Sequence, residues 1–105
     1  MEKLFYSIGE VAEILGENAS LVRFWSNSFQ KFVNPRRNAK GNRMFTPDDI
    51  DTFKQIHYLV KEKGMTLEGA SLALKADRSG VDSRVRAIDA LKEIKAQLLE
   101  VRKSL

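Results

Sequence analysis

The stretch Ser7 to Phe29, SIGEVAEILGENASLVRFWSNSF, constrains this chain most, because it specifies two short helices and the turn between them. Ser7 followed by Glu10 forms a capping box, in which the hydroxyl accepts from the Glu10 amide and the carboxylate returns to the Ser7 amide. A helix therefore begins at Ile8. Its apolar residues Ile8, Val11, Ala12, Ile14 and Leu15 recur at helical spacing, and Gly16 can take the left-handed conformation that ends a helix. Asn18 then caps a second helix. Along it Leu21, Phe24 and Trp25 are expected on one side, with Ser20, Arg23 and Asn27 off that side. Two helices joined by so short a turn match the helix-turn-helix, whose second helix enters the DNA major groove.

The charge distribution agrees with that pattern. Net charge is only +4, yet from Asn18 to Pro47 there is no acidic residue, while Arg23, Lys31, Arg36, Arg37, Lys40 and Arg43 are all cationic. A basic block carrying polar and aromatic residues is the footprint of a phosphate-backbone binder. Within it, NPRRNAKGNRMF places a turn at Ala39, Lys40, Gly41 and Asn42 between short arginine-bearing stretches. Glycine beside asparagine supplies the positive backbone angles of a tight hairpin, so a two-stranded wing is expected.

Thr46, Pro47, Asp48 and Asp49 give a second strong helix start: a capping hydroxyl, proline at the first helical position, and acid against the positive end of the dipole. This third helix is expected from about Pro47 to Lys63, with Ile50, Phe53, Ile56, Leu59 and Val60 as its buried stripe and Gly64 as its stop. His57 lies beside that stripe and reads as a boundary or core histidine. A lone histidine in a chain without cysteine gives no metal site. Thr66 caps a short fourth helix whose Leu67, Ala70 and Leu74 pack on the third.

Residues 76–83, ADRSGVDS, are polar, contain Gly80 and read as a linker. Beyond it Leu91, Ile94, Leu98, Val101 and Leu105 alternate spacings of three and four, a heptad seam. Such a short seam is marginal alone, and pairing with a second copy is favoured over folding back onto the same chain. The organisation expected is therefore a domain over 1–75, a linker over 76–83 and a dimerisation helix over 84–105. The fold class is mainly α: a winged helix-turn-helix with a small two-stranded wing, two further helices and that C-terminal helix.

Function classes narrow accordingly. There is no nucleophile with a base, no paired carboxylates on one face and no glycine-rich phosphate loop, so no enzyme is expected. No cofactor is implied. The N-terminus has no long apolar run for a signal peptide, and no segment of about 20 apolar residues spans a bilayer, so the expectation is cytoplasmic.

The order of parts, with YSIGEVAEILG, LVRFW, NPRRNAKGNRMF and TPDDIDTFKQIHYLVKEKGMTLEGA, resembles the MerR family of winged-helix transcription regulators over about residues 5–75. Arg23, Phe24 and Trp25 match its arginine followed by two aromatics. Pro35, Arg37, Gly41 and Arg43 match its wing. The resemblance implies double-stranded DNA as partner, with helix 18–29 in the major groove and wing 35–45 on the backbone. Ser20, Arg23, Trp25, Arg36, Arg37, Lys40 and Arg43 are the expected DNA contacts. It also implies an antiparallel homodimer through Leu91, Ile94, Leu98 and Val101, and allows RNA polymerase at a promoter as a further partner. Asn42 and Phe45 stand where the family commonly has tyrosines, and no residues for effector sensing are expected after the last helix. Two other readings share the fold: a protein-interaction modulator that does not touch DNA, and an excisionase-like architectural DNA-binding factor.

Overall fold

The structure is a computed structural model that describes residues 4–104, with side chains through Glu100. Leu105 and the side chain of Val101, both assigned to the seam, lie outside the described residues, as does the start of the lead-in before Leu4. The elements in order are α1 (Ile8–Leu15), α2 (Ala19–Ser28), β1 (Arg36–Arg37), β2 (Arg43–Met44), α3 (Pro47–His57), a π-helical turn (Tyr58–Glu62) and α4 (Leu67–Ser104). The fold is mainly helical with a two-stranded antiparallel wing. No helix among the described residues is long and apolar enough to cross a membrane.

Local signals in the sequence place the helix starts. The Glu10 amide donates to Ser7 Oγ (3.2 Å), and the Ser7 amide donates to Glu10 Oε1 (3.0 Å). Thr46 and Asp49 form the same reciprocal pair at the head of α3, with Asp49 supplying the returning carboxylate (3.0 Å). Each such cap stabilises its helix by about 1 kcal/mol. Thr66 Oγ1 accepts from the Gly69 amide at the start of α4 (3.0 Å).

The core is one cluster drawn from all the helices. Val11, Val22, Trp25, Phe45, Phe53 and Leu74 are among its fully buried members. Phe45 sets its ring edge against Phe53 at 5.3 Å, so this position works as an anchor and needs no phenolic hydroxyl. Tyr6 and Phe45 exchange two backbone hydrogen bonds (2.7 and 2.8 Å), tying the lead-in to the strand that closes the wing. His57 is half-buried at the core boundary, 3.1 Å from Glu17 Oε1 and edge-on to Trp25.

Three expectations change. The packing face of α2 is Val22, Trp25, Ser26 and Phe29, with Leu21 partly buried, whereas Phe24 is 51% exposed. The third helix keeps α geometry only to His57 and continues as a π-helical turn before Gly64. Residues 76–83 are not a loop: the break is the single residue Asp77 (φ −153°, ψ 63°), and helix resumes at once. The physical reason lies in Asp77 itself, whose carboxylate accepts from the Gly80 amide (3.1 Å) and caps the next helical turn. A polar segment that reads as a linker is a helix restart.

That restart is locked to α3. Arg78 donates to Thr52 Oγ1, and Gln55 Nε2 donates to Asp82 Oδ1 (3.1 Å). Val81 and Val85 are buried in the same core, and Ile88 packs at its edge. Beyond them Leu91, Ile94 and Leu98 stand exposed.

Candidate nucleic-acid interface

The turn between α1 and α2 is built from two residues with opposite demands. Gly16 sits at φ 69°, where a side chain would be strained, and its amide reaches back to the last turn of α1. Asn18 then accepts from the Leu21 amide (2.8 Å), starting α2. Because Val22, Trp25 and Ser26 face the core, Ser20, Arg23, Phe24, Asn27 and Ser28 form the exposed arc. The Ser28 hydroxyl is taken up by its own helix, donating to the Phe24 carbonyl (2.8 Å). Ser20, Arg23, Phe24 and Asn27 are left presented on the face that a groove would meet.

The wing is held by its own turn. Arg36 pairs with Met44 and Arg37 with Arg43. Asn38 organises the tip: its side-chain oxygen accepts from the amides of Lys40 and Asn42 (3.0 Å each), and its carbonyl accepts from Gly41 (2.9 Å). Gly41 takes φ 82°, which the tip requires. Arg37 donates to the Gly41 carbonyl (2.8 Å), which stiffens the hairpin and leaves most of its donors outward. Arg36, Arg37 and Lys40 are exposed.

Arg43 differs from the other wing cations. It is half-buried in a cleft lined by Ser7, Gly9, Ala19, Arg23 and Asn42, and its Nη1 is enclosed with no hydrogen-bond acceptor. An enclosed guanidinium donor without a partner is costly, so the cleft is suited to an anion that completes it. The fold thus brings Arg23 of α2 and Arg43 of the wing to one cleft, although 19 intervening positions separate them in sequence.

The ion pairs lie elsewhere. Among the described residues they join Lys54 with Asp89, Asp82 with Arg86 and Glu62 with Lys92, and Glu17 contacts the His57 ring. None includes a cation of the block from Arg23 to Arg43. Burial of these arginines in internal pairs would have favoured the reading without DNA, and the described pairs do not show it. Trp25 is the correction within the expected contact set: at 1% exposure it is core and cannot reach a phosphate. Phe24 is the residue that sequence reasoning placed in the core and the structure places on the exposed arc. Its only sequence signal was the crowding of apolar residues at 21, 22, 24 and 25, more than one face of a ten-residue helix can bury.

Residues 6–77 match the model of the MerR HTH family regulatory protein. The chain belongs to the MerR family. Relatives of the chain include the regulator protein TubY of Clostridium botulinum C phage, 36% identical over 69 residues, covering 66% of this chain and 28% of that protein. The HTH-type transcriptional repressor CarH of Myxococcus xanthus is 29% identical over 85 residues, covering 81% of this chain and 28% of the repressor. The chain therefore spans little more than a quarter of the length of either. Two solved structures share the fold. One is HiNmlR, a MerR family regulator lacking the sensor domain and bound to promoter DNA, at 24% identity and TM-score 0.58, with 95% of this chain and 81% of that one covered. The other is a MerR family transcriptional regulator from Bacillus thuringiensis, at 21% identity and TM-score 0.54, with 96% and 87% covered.

Proposed function

We propose that this MerR-family chain binds double-stranded DNA as a homodimer and regulates transcription from the site it occupies. The observation that carries the reading is the set of cations from Arg23 to Arg43, which lie on α2, the wing and the segment between them, bring Arg23 and Arg43 to one cleft, and take no part in the described ion pairs. Each is free to displace a counterion from a phosphate. The promoter DNA bound by HiNmlR, which has the same fold, supports the same partner here.

The parts divide the work. α2 enters the major groove, where Ser20 and Asn27 meet base edges and Arg23 holds the register. Arg36, Arg37 and Lys40 lay the wing on the backbone as exposed cations. Arg43 closes on a phosphate in the cleft it shares with Arg23, which supplies the acceptor its Nη1 lacks. Leu91, Ile94 and Leu98, exposed at 65, 53 and 60%, pair with the same residues of a second copy, and Val101 extends that seam. A twofold dimer then reads two half-sites at a fixed separation. The reading domain over 1–75 and the helix over 84–105 are the functional division, joined by the helix restart at Asp77, with Val85 and Ile88 packed on the domain and the coil formed by the stripe from Leu91. The regulator acts in the cytoplasm, on a promoter served by RNA polymerase, and no catalytic step is assigned to it.

The test is a fluorescence-anisotropy titration against a pool of genomic duplex fragments at several salt concentrations, with Arg37→Ala, Arg43→Ala as the paired variant. Wild-type affinity falls steeply with salt, and the double variant loses about two phosphates' worth of that slope together with most of the affinity. No binding at low salt, or a slope unchanged in the variant, would overturn the assignment.

A further inference from the structure

We propose that Phe24 is a specificity-determining residue that reads the C5-methyl group of a thymine in each half-site. The inference rests on the DNA-binding reading above and adds a base contact to it. Among the exposed residues of α2, Phe24 is the one large apolar side chain, 51% exposed between polar neighbours. At about 100° per residue, Ser20 and Asn27 occupy the middle of the exposed arc, with Arg23 on one flank and Phe24 on the other. Arg23 lines the cleft shared with the wing residue Arg43, so Phe24 holds the flank away from the wing.

The chemistry of that flank is selective. A phenyl ring carries no hydrogen-bond donor, so it gains nothing from a phosphate and discriminates no polar base edge. The apolar group that the major groove presents is the thymine methyl, and apolar contact with it is an established mode of base readout. A single exposed apolar side chain needs no explanation on an arbitrary surface. Here it interrupts a polar arc that bears on a polyanion, where an unmatched ring would desolvate polar base edges without return. Matching it to a methyl removes that cost. Asn27, one turn on from Arg23 and between the two flanks, is then placed to hydrogen-bond a neighbouring base edge.

The test uses the operator selected from the genomic pool. Its thymines are replaced one at a time by deoxyuridine, which keeps every hydrogen-bonding group and lacks only the methyl. Wild-type protein loses about fourfold in affinity per half-site at one thymine, the effect of one buried methyl. Phe24→Ala binds the thymine and deoxyuridine duplexes equally at that position. Phe24→Leu, which keeps apolar reach, retains part of the preference and guards against a folding defect in the alanine variant. A wild-type protein indifferent to deoxyuridine at every position overturns the contact while leaving DNA binding intact, as does an alanine variant that still discriminates. Wild-type protein that binds no duplex removes both the contact and the DNA-binding reading.

Discussion

The helix that runs on from Asp77 lives in two environments, and the contrast explains what each half is for. Up to Asp89 it belongs to its own domain: Val81 and Val85 are buried, Arg78 and Gln55 bridge to and from α3, and Lys54 reaches Asp89 at 3.4 Å. From Leu91 onward the same helix presents Leu91, Ile94, Leu98 and Leu99 to solvent. Chemical composition does not distinguish the halves, since both carry apolar residues at three and four spacing between charges. Packing does. The first half fixes the direction of the helix relative to α2 and the wing, and the second offers an apolar stripe that its own chain leaves uncovered. Apolar packing on the domain therefore ends at Ile88, with only the ion pairs of Asp89 and Lys92 reaching back beyond it among the described residues, and the stripe from Leu91 is the surface that pairing with a copy would use.

The sharpest way to break this contrast is to make one substitution in both halves. Val85→Asp places an unpaired carboxylate in the core, and a loss of at least about 3 kcal/mol is expected, a large share of the stability of an ordinary domain. Urea denaturation followed by circular dichroism checks it. Leu98→Asp introduces the same charge on an exposed position and should leave the stability of the reading domain, measured the same way, within about 0.5 kcal/mol. Its effect falls on the proposed association: sedimentation velocity should show a dimer for the wild type and a monomer for this variant. A variant that still dimerises would strip the exposed stripe of its assigned role. A third substitution acts at the junction itself. Asp77→Ala removes the cap on Gly80 and should cost about 1 kcal/mol, read as a lowered thermal midpoint without loss of the dimer.

Sequence made the caps, turns and the order of elements legible, because those features are local. Ser7 with Glu10, Asn18, and Thr46 with Pro47 each satisfy helix-end amides with atoms a few residues away, and Gly16 and Gly41 mark positive backbone angles. Rotation of α2 was less legible. Leu21, Val22, Phe24 and Trp25 span about 160° of its circumference, wider than the narrow stripe a packing face needs, and the deciding neighbour is the buried Ser26, which no hydrophobic count selects. The segment 76–83 misled for a related reason. Its polar residues look solvated in one dimension, yet Arg78 and Asp82 find Thr52 and Gln55 on α3, roughly 27 positions upstream. The π-helical turn at Tyr58–Glu62 had no composition signal. In the candidate site, the arginines were legible by charge alone, whereas the convergence of Arg23 and Arg43 on one cleft depends on where the wing folds.

The smallest expected effect separates the fixed half of the helix from the free half by pH. The hydrogen bond from Arg86 (2.7 Å) holds the Asp82 carboxyl below its ordinary value; burial opposes this, and Gln55 adds a second lowering contact. A carboxyl with a lower value folded than unfolded binds fewer protons in the native state at intermediate pH. Its contribution is therefore complete above the unfolded value of 3.8 and is lost as pH falls through the folded one. Arg86 is largely exposed, so solvent screens the pair and the contribution is small. Asp82→Asn should flatten the acid limb of stability against pH relative to wild type, with little change near neutrality beyond the altered bond to Gln55. Wild type and variant with parallel acid limbs would remove Asp82 from the interactions that orient the helix. The remaining bridge from Arg78 to Thr52 joins a cation to a hydroxyl that does not titrate in this range, so it would then hold the junction independently of pH.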